Sequence, residues 1–179
     1  MKRLKLFFLA LGLVTISVFW FPSLVKAQTT IVWDANSLEV KIEDDKFEVR
    51  GTFTLNDHSD GIAIPDEAVV FQLIGGSVTF STTIPAGSFE KGEEGEFKFE
   101  GFSVFFIGVD LIGFAFLEVE ITSLGGISDA GFLNSFEFKF EAEGVNLTGI
   151  ANPVLVDLAI GDDGCCGSTV VAEIEGEGN

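Results

Sequence analysis

The side chains able to do chemistry in this chain are mostly carboxylates. Asn56-Asp57-His58-Ser59-Asp60-Gly61, with Glu67 downstream, is the densest ligand-like string. Against the calcium-loop pattern D-x-[DN]-x-[DN]-G-x5-E it matches at Asp60, Gly61 and Glu67 with the right spacing. It departs at Asn56, in the first position, and at His58, a poor ligand for a hard cation. Pro65 and the flanking strand patterns deny the string the helices that such a loop joins. Carbonyl and carboxylate oxygens on a β-loop can hold calcium in other geometries, so Asp57, Asp60 and Glu67 stand as candidate ligands. The competing reading is a solvated hairpin loop. A second acidic turn, Gly161-Asp162-Asp163-Gly164, offers Asp162 and Asp163 to the same kind of ion. Asp-Gly is also an ordinary turn pair, because Gly accepts positive φ. Glu90, Glu93, Glu94 and Glu96 form a third cluster, most simply a solvated loop.

The other reactive side chains carry less. Cys165 and Cys166 are the only cysteines, and a bridge between neighbours strains the backbone beyond normal disulfide geometry. A strained vicinal disulfide, an intermolecular disulfide and two free thiols all remain open. Two Cys alone make no metal site, and no His lies near them. A Ser-His-Asp triad would have to use His58, the only imidazole, and no G-x-S-x-G elbow exists. A paired-carboxylate hydrolase is formally open, but 28 acids guarantee some close pairs, so their presence decides nothing. Asn146-Leu147-Thr148 matches the glycosylation sequon.

Composition bounds the rest. The 179 residues suit one domain, and 47% hydrophobic content is enough to build a core. Ten basic against 28 acidic side chains argue against nucleic-acid binding, which needs clustered Lys and Arg. Residues 1–27 read as a secretory signal peptide. Lys2, Arg3 and Lys5 precede an apolar stretch from Leu6 to Val25, and Val25-Lys26-Ala27 fits a cleavage site before Gln28. The stretch is also long enough to serve as an uncleaved anchor. Cleavage would leave 6 basic against 28 acidic side chains, a net charge of about −22. The expectation is an exported protein, periplasmic or extracellular, with no membrane insertion once the signal is removed.

Positioning the acids falls to β-strands. Phe47, Val49, Gly51 and Phe53 alternate with Glu48, Arg50, Thr52 and Thr54; Phe136, Phe138 and Phe140 alternate with Glu137, Lys139 and Glu141. Leu117, Val119 and Ile121, and Val154, Val156, Leu158 and Ile160, repeat the pattern. Period 2 gives strands with one buried and one charged face. Gly-rich turns between them predict an all-β fold, a single antiparallel β-sandwich or small barrel over residues 28–179. An outer-membrane barrel fits poorly, because Trp33 is the only Trp after residue 27 and Tyr is absent.

Segments 47–84 and 136–174 also resemble each other weakly: strand, loop, Gly-Ile-Ala, Pro, apolar strand, Gly turn. Duplication into two half-sandwiches packed face to face is one reading, and chance similarity of β-rich segments is the other. The run 102–117 is apolar at nearly every position. Its simplest reading is a pair of core strands around a Gly-Val-Asp turn; the alternative is a face for a partner, including self-association.

Phe138-Lys139-Phe140-Glu141-Ala142-Glu143-Gly144-Val145-Asn146-Leu147-Thr148-Gly149, then Asn152-Pro153 and Ile160-Gly161-Asp162-Asp163, resemble exported β-rich proteins of environmental bacteria with no assigned activity. Ile84-Pro85-Ala86-Gly87-Ser88-Phe89 and Phe97-Lys98-Phe99-Glu100-Gly101 add to the resemblance. It implies export and a β fold and brings no site residues; the 102–116 stretch and Cys165-Cys166 depart from it. The sequence thus predicts a non-enzymatic structural or interaction module, with a protein or surface partner and no required cofactor. A calcium-assisted module binding carbohydrate or another surface is the alternative, and a carboxylate hydrolase the third reading.

Overall fold

The computed structural model describes residues 30–175, apart from Pro65, 93–94, 108–109, 128–132 and 165–166. The strands are β1 (Ile31–Trp33), β2 (Glu39–Ile42), β3 (Lys46–Leu55), β4 (Val69–Gly75) and β5 (Val78–Ile84). Then come β6 (Glu90–Lys91), β7 (Glu96–Ile107), β8 (Asp110–Ile127) and β9 (Leu133–Glu143). β10 (Val154–Ile160), β11 (Asp163–Gly164), β12 (Ser168–Val170) and β13 (Glu173–Ile174) complete the chain. There is no helix among the described residues, as the period-2 patterning requires. Cys165 and Cys166 lie outside the described residues, as do Pro65, Glu93 and Glu94.

All the strands belong to one sheet, ordered β11-β10-β4-β5-β7-β8-β9-β3-β2-β13, with β1 beside β3, β12 beside β10 and β6 beside β7. The sheet is not closed by pairing, so the fold is not a barrel. Every pairing is antiparallel except that of β13 with β2. The sheet doubles over to make a sandwich. Phe71 of β4 and Phe140 of β9 lie four places apart in the strand order, yet their rings stack with centroids 4.0 Å apart. Phe47 of β3 meets Phe80 of β5 edge to face at 4.9 Å. Rings on β4 and β5 therefore press against rings on β3 and β9 from the opposite layer, and all four of these side chains are fully buried. Aromatic pairs at such distances add to what burial alone contributes.

The two resembling segments do not form one layer each, as face-to-face halves would. β3 lies beside β9 in one layer, with Arg50 opposite Lys139, and β4 lies beside β10 in the other, with Gln72 opposite Asp157. Each segment contributes strands to both layers.

The 102–117 run is covered on one face only. Phe105, Ala115 and Leu117 point into the core, while Phe102 is 74% and Phe114 70% exposed. Phe102 sits opposite Phe116, and their rings meet at 5.4 Å. The expectation of strands buried on both sides therefore does not hold. An apolar run marks a strand but does not say whether its second face has a cover.

On the outer surface of β7, β8, β9 and β3 the charged residues stand in rows. Glu100, Glu118, Glu141 and Glu48 are successive cross-strand partners, and the next row reads Lys98, Glu120, Lys139 and Arg50. Carboxylates directly opposite one another repel. The basic row relieves this: Lys139 reaches Glu118 at 2.9 Å and Glu141 at 3.5 Å, and Lys98 reaches Glu120 at 2.9 Å. The hydrogen bond to Glu118 raises the Lys139 pKa above its ordinary value, and the nearby Glu141 charge adds to it.

The stacked rings set the stability expected of the sandwich. Phe71→Ala should cost roughly 3–5 kcal/mol in chemical denaturation, the usual range for deleting a buried Phe. Phe102→Ala, on the exposed face, should stay within about 0.5 kcal/mol. Similar costs for the two would contradict the burial described here.

Candidate functional site: an acidic cluster at the sandwich seam

Folding the sheet over brings its two ends together along one seam. Thr30, just before β1, donates its N–H to Gly164 O at 2.9 Å and accepts from Gly164 N at its Oγ1 at 3.0 Å. Those bonds join the β1–β3 side of one layer to β11 at the end of the other. The loop from β3 to β4 crosses the same seam. Asn56 N donates to Thr30 O at 2.9 Å, and Asn56 Oδ1 accepts from His58 N in a tight turn that a short amide side chain favours.

That turn buries Ser59. Its Oγ donates to Asp163 Oδ2 at 2.8 Å and accepts from Gly61 N at 2.9 Å. Asp163, at the start of β11, is only 3% exposed. The two acidic turns, more than 100 positions apart in the chain, thus meet here. Carboxylate oxygens of Asp60, Asp162 and Asp163 all lie within 4.8 Å of one another. Opposite ligands of a single calcium ion, each at about 2.3–2.6 Å, are separated by about that much.

Glu67 closes the group. Its Oε2 accepts from Ala63 N at 2.6 Å, and its carboxylate lies against Gly161, where a Cβ would collide with it. Gly161 has φ +62°, which turns the chain from β10 toward Asp162. Burial raises the Glu67 pKa above the usual carboxylate value. The hydrogen bond from Ala63 opposes this, and the charges of Asp163, Asp162 and Asp60 push it further up. Glu67 therefore senses all three aspartates.

Of the five candidate ligands, the structure brings Asp60, Asp162 and Asp163 together and sets Glu67 beside them. Asp57 lies apart: it is exposed and stands 3.8 Å from the His58 Nε2. His58 is exposed as well, so the departure from the calcium-loop pattern at that position leaves the cluster untouched. Sequence reasoning missed Ser59 and Thr30. Ser59 stood inside the string already singled out, but only the fold shows its hydroxyl turned onto Asp163. Oxygen donors alone make the cluster suited to a hard cation such as calcium and unsuited to thiophilic metals.

No family model, curated protein or solved structure matches the chain.

The Glu67 environment has a pH signature. With a native pKa above its unfolded value, the folded protein binds the extra proton, so stability falls as pH rises through the raised pKa. Without divalent ions, Glu67→Gln should raise the melting midpoint at pH 7 and flatten its decline as pH rises above the ordinary glutamate pKa. An unchanged pH profile would show that neither burial nor the neighbouring aspartates perturb Glu67 in the folded chain.

Proposed function

We propose that this chain is an exported, non-enzymatic structural or interaction module whose sandwich is fastened at its seam by a divalent cation, calcium by the nature of the donors. The carrying observation is Asp163. Its carboxylate is almost wholly buried, its hydrogen bond comes from the Ser59 hydroxyl, and no Lys or Arg pairs with it among the described residues. A buried carboxylate is costly unless a cation or several donors compensate it. Asp60 and Asp162 add acceptor oxygens at the same point, and no donors. A cation would neutralise all three and lower the energy of Glu67 beside them.

The site joins the two ends of the sheet. An ion there would act as a clamp between Asp60 on the β3–β4 loop and Asp162 and Asp163 after β10, in place of the disulfide that a secreted domain often uses. Export rests on residues 1–27, whose pattern favours secretion, and extracellular calcium is abundant enough to fill a weak site.

Thermal melts of the protein recovered from an exporting host, first in chelator and then in millimolar calcium, test the reading. Saturation to about 100 times the dissociation constant stabilises by about 2.7 kcal/mol, or several degrees for a chain this size. Asp163→Asn and Asp60→Ala should each remove that shift while leaving the chelator midpoint within a few degrees or higher. No calcium-dependent shift in the native protein would overturn the cation and leave the module without its clamp.

A further inference from the structure

The second surface with chemistry of its own is the outer face of the β7–β8 hairpin, made of different residues from the seam. Val104 stands opposite Phe114 and Phe102 opposite Phe116, so these side chains form two adjoining cross-strand rows. Phe102 and Phe114 are more than two-thirds exposed, and Val104 and Phe106 more than one-third. At the usual area of such side chains the apolar surface is of the order of 400 Å², a size that is often functional on soluble chains. The next row along the same strands is Glu100 and Glu118, continued by Glu141 and Glu48. Lys139 reaches Glu118 and Glu141, and Arg50 reaches Glu48. That compensation stops short of the apolar rows. Glu100, the residue nearest Phe102 on the same face, is exposed, and the neighbouring Lys98 is taken by Glu96 and Glu120. Among the described residues Glu100 has no basic partner.

We propose that this face binds a short cationic, amphipathic segment of another protein. Its apolar side chains lie on the Val104–Phe114 and Phe102–Phe116 rows, and a Lys or Arg one row further on meets Glu100. An apolar centre with a charged rim is the usual anatomy of an interface. Two observations favour a different molecule over a second copy. The patch is about half of the roughly 800 Å² that each partner of a stable complex buries, which suits a short segment better than a folded domain. The chain also has no cation to give: Lys46, Arg50, Lys98 and Lys139, the basic residues of this face, already hold carboxylates. A formal net charge of −18 repels a second copy and draws a cationic partner. The inference rests on the reading of the chain as an interaction module, and it is independent of the cation at the seam.

A random peptide display library, selected on the protein recovered from an exporting host, tests the surface. Selection in chelator and again in millimolar calcium keeps a failure of the seam cation distinct from a failure of this face. Enriched peptides should carry apolar residues beside Lys or Arg and, as free fluorescent peptides, bind with dissociation constants of about 1–100 µM. Phe102→Ser and Phe114→Ser should each weaken that binding roughly tenfold or more. Both alter exposed side chains, so their melting midpoints should stay close to that of the native chain. Glu100→Lys should weaken binding about fivefold at low salt and less at high salt. Glu173→Lys, the same change of charge on an exposed residue of β13, should alter it less than about twofold. No enrichment, enriched peptides without basic residues, or binding indifferent to both Phe variants would overturn the proposal. Retention of the native chain, but not of Phe114→Ser, on phosphatidylcholine vesicles would assign the face to lipid and overturn it as well.

Discussion

Phe71 and Phe140 stack at 4.0 Å although four steps of strand pairing separate their strands, and that contact can exist only if the sheet doubles over. Much else follows from the fold-over. The hairpin of β7 and β8 stands in the strand order between the two layers, and it buries one face only. The two ends of the sheet have to return to each other, which puts Thr30 against Gly164 and the β3–β4 loop against the turn after β10. The acidic cluster is a product of ring packing elsewhere. Loosening the aromatic core would loosen the spacing of the carboxylates as well.

The strands were legible in the sequence because their physical cause is local. Alternation at Phe47–Phe53 and Phe136–Phe140 reports that one face meets the core and the other meets water, and both stretches are strands. Neighbour relations are non-local, and the sequence was mute about them. Nothing in the residues said that β3 would lie beside β9, and the face-to-face arrangement of halves was drawn from similarity alone. Asp60, Asp162 and Asp163 could be singled out one turn at a time, but their meeting depends on how the layers are registered. Asp57 looked equivalent to Asp60 because a pattern scores spacing. In the fold the Asn56 turn sends it outward, while Ser59 turns inward to Asp163. In the run 102–117 the inner face is core as an apolar strand suggests, but apolarity did not say that the second face is left uncovered, with Phe102 and Phe114 exposed.

The charges fall into two regimes. At the seam, carboxylates gather without a basic side chain among the described residues, and their mutual repulsion is held by the backbone around them. On the outer face of β7, β8, β9 and β3, carboxylates stand just as close but alternate with Lys98, Lys139 and Arg50. The second arrangement is solvent-screened and self-compensating. At the seam Asp163 is buried against the Ser59 hydroxyl, while Asp60 and Asp162 are exposed.

The placement of the basic residues also bears on proteolysis. After residue 27 the chain has only Lys41, Lys46, Arg50, Lys91, Lys98 and Lys139, and all six lie in strands. None of the connecting loops carries a Lys or an Arg. A protease that cuts after basic residues needs several residues of chain drawn out into its cleft, and loops and termini are where chains usually yield. Here such an enzyme finds its targets only in paired backbone, five of them within the ladders of β2, β3, β7 and β9. Digestion by enzymes of that specificity would have to wait for the sheet itself to open, so the chain's lifetime among them would be set by unfolding.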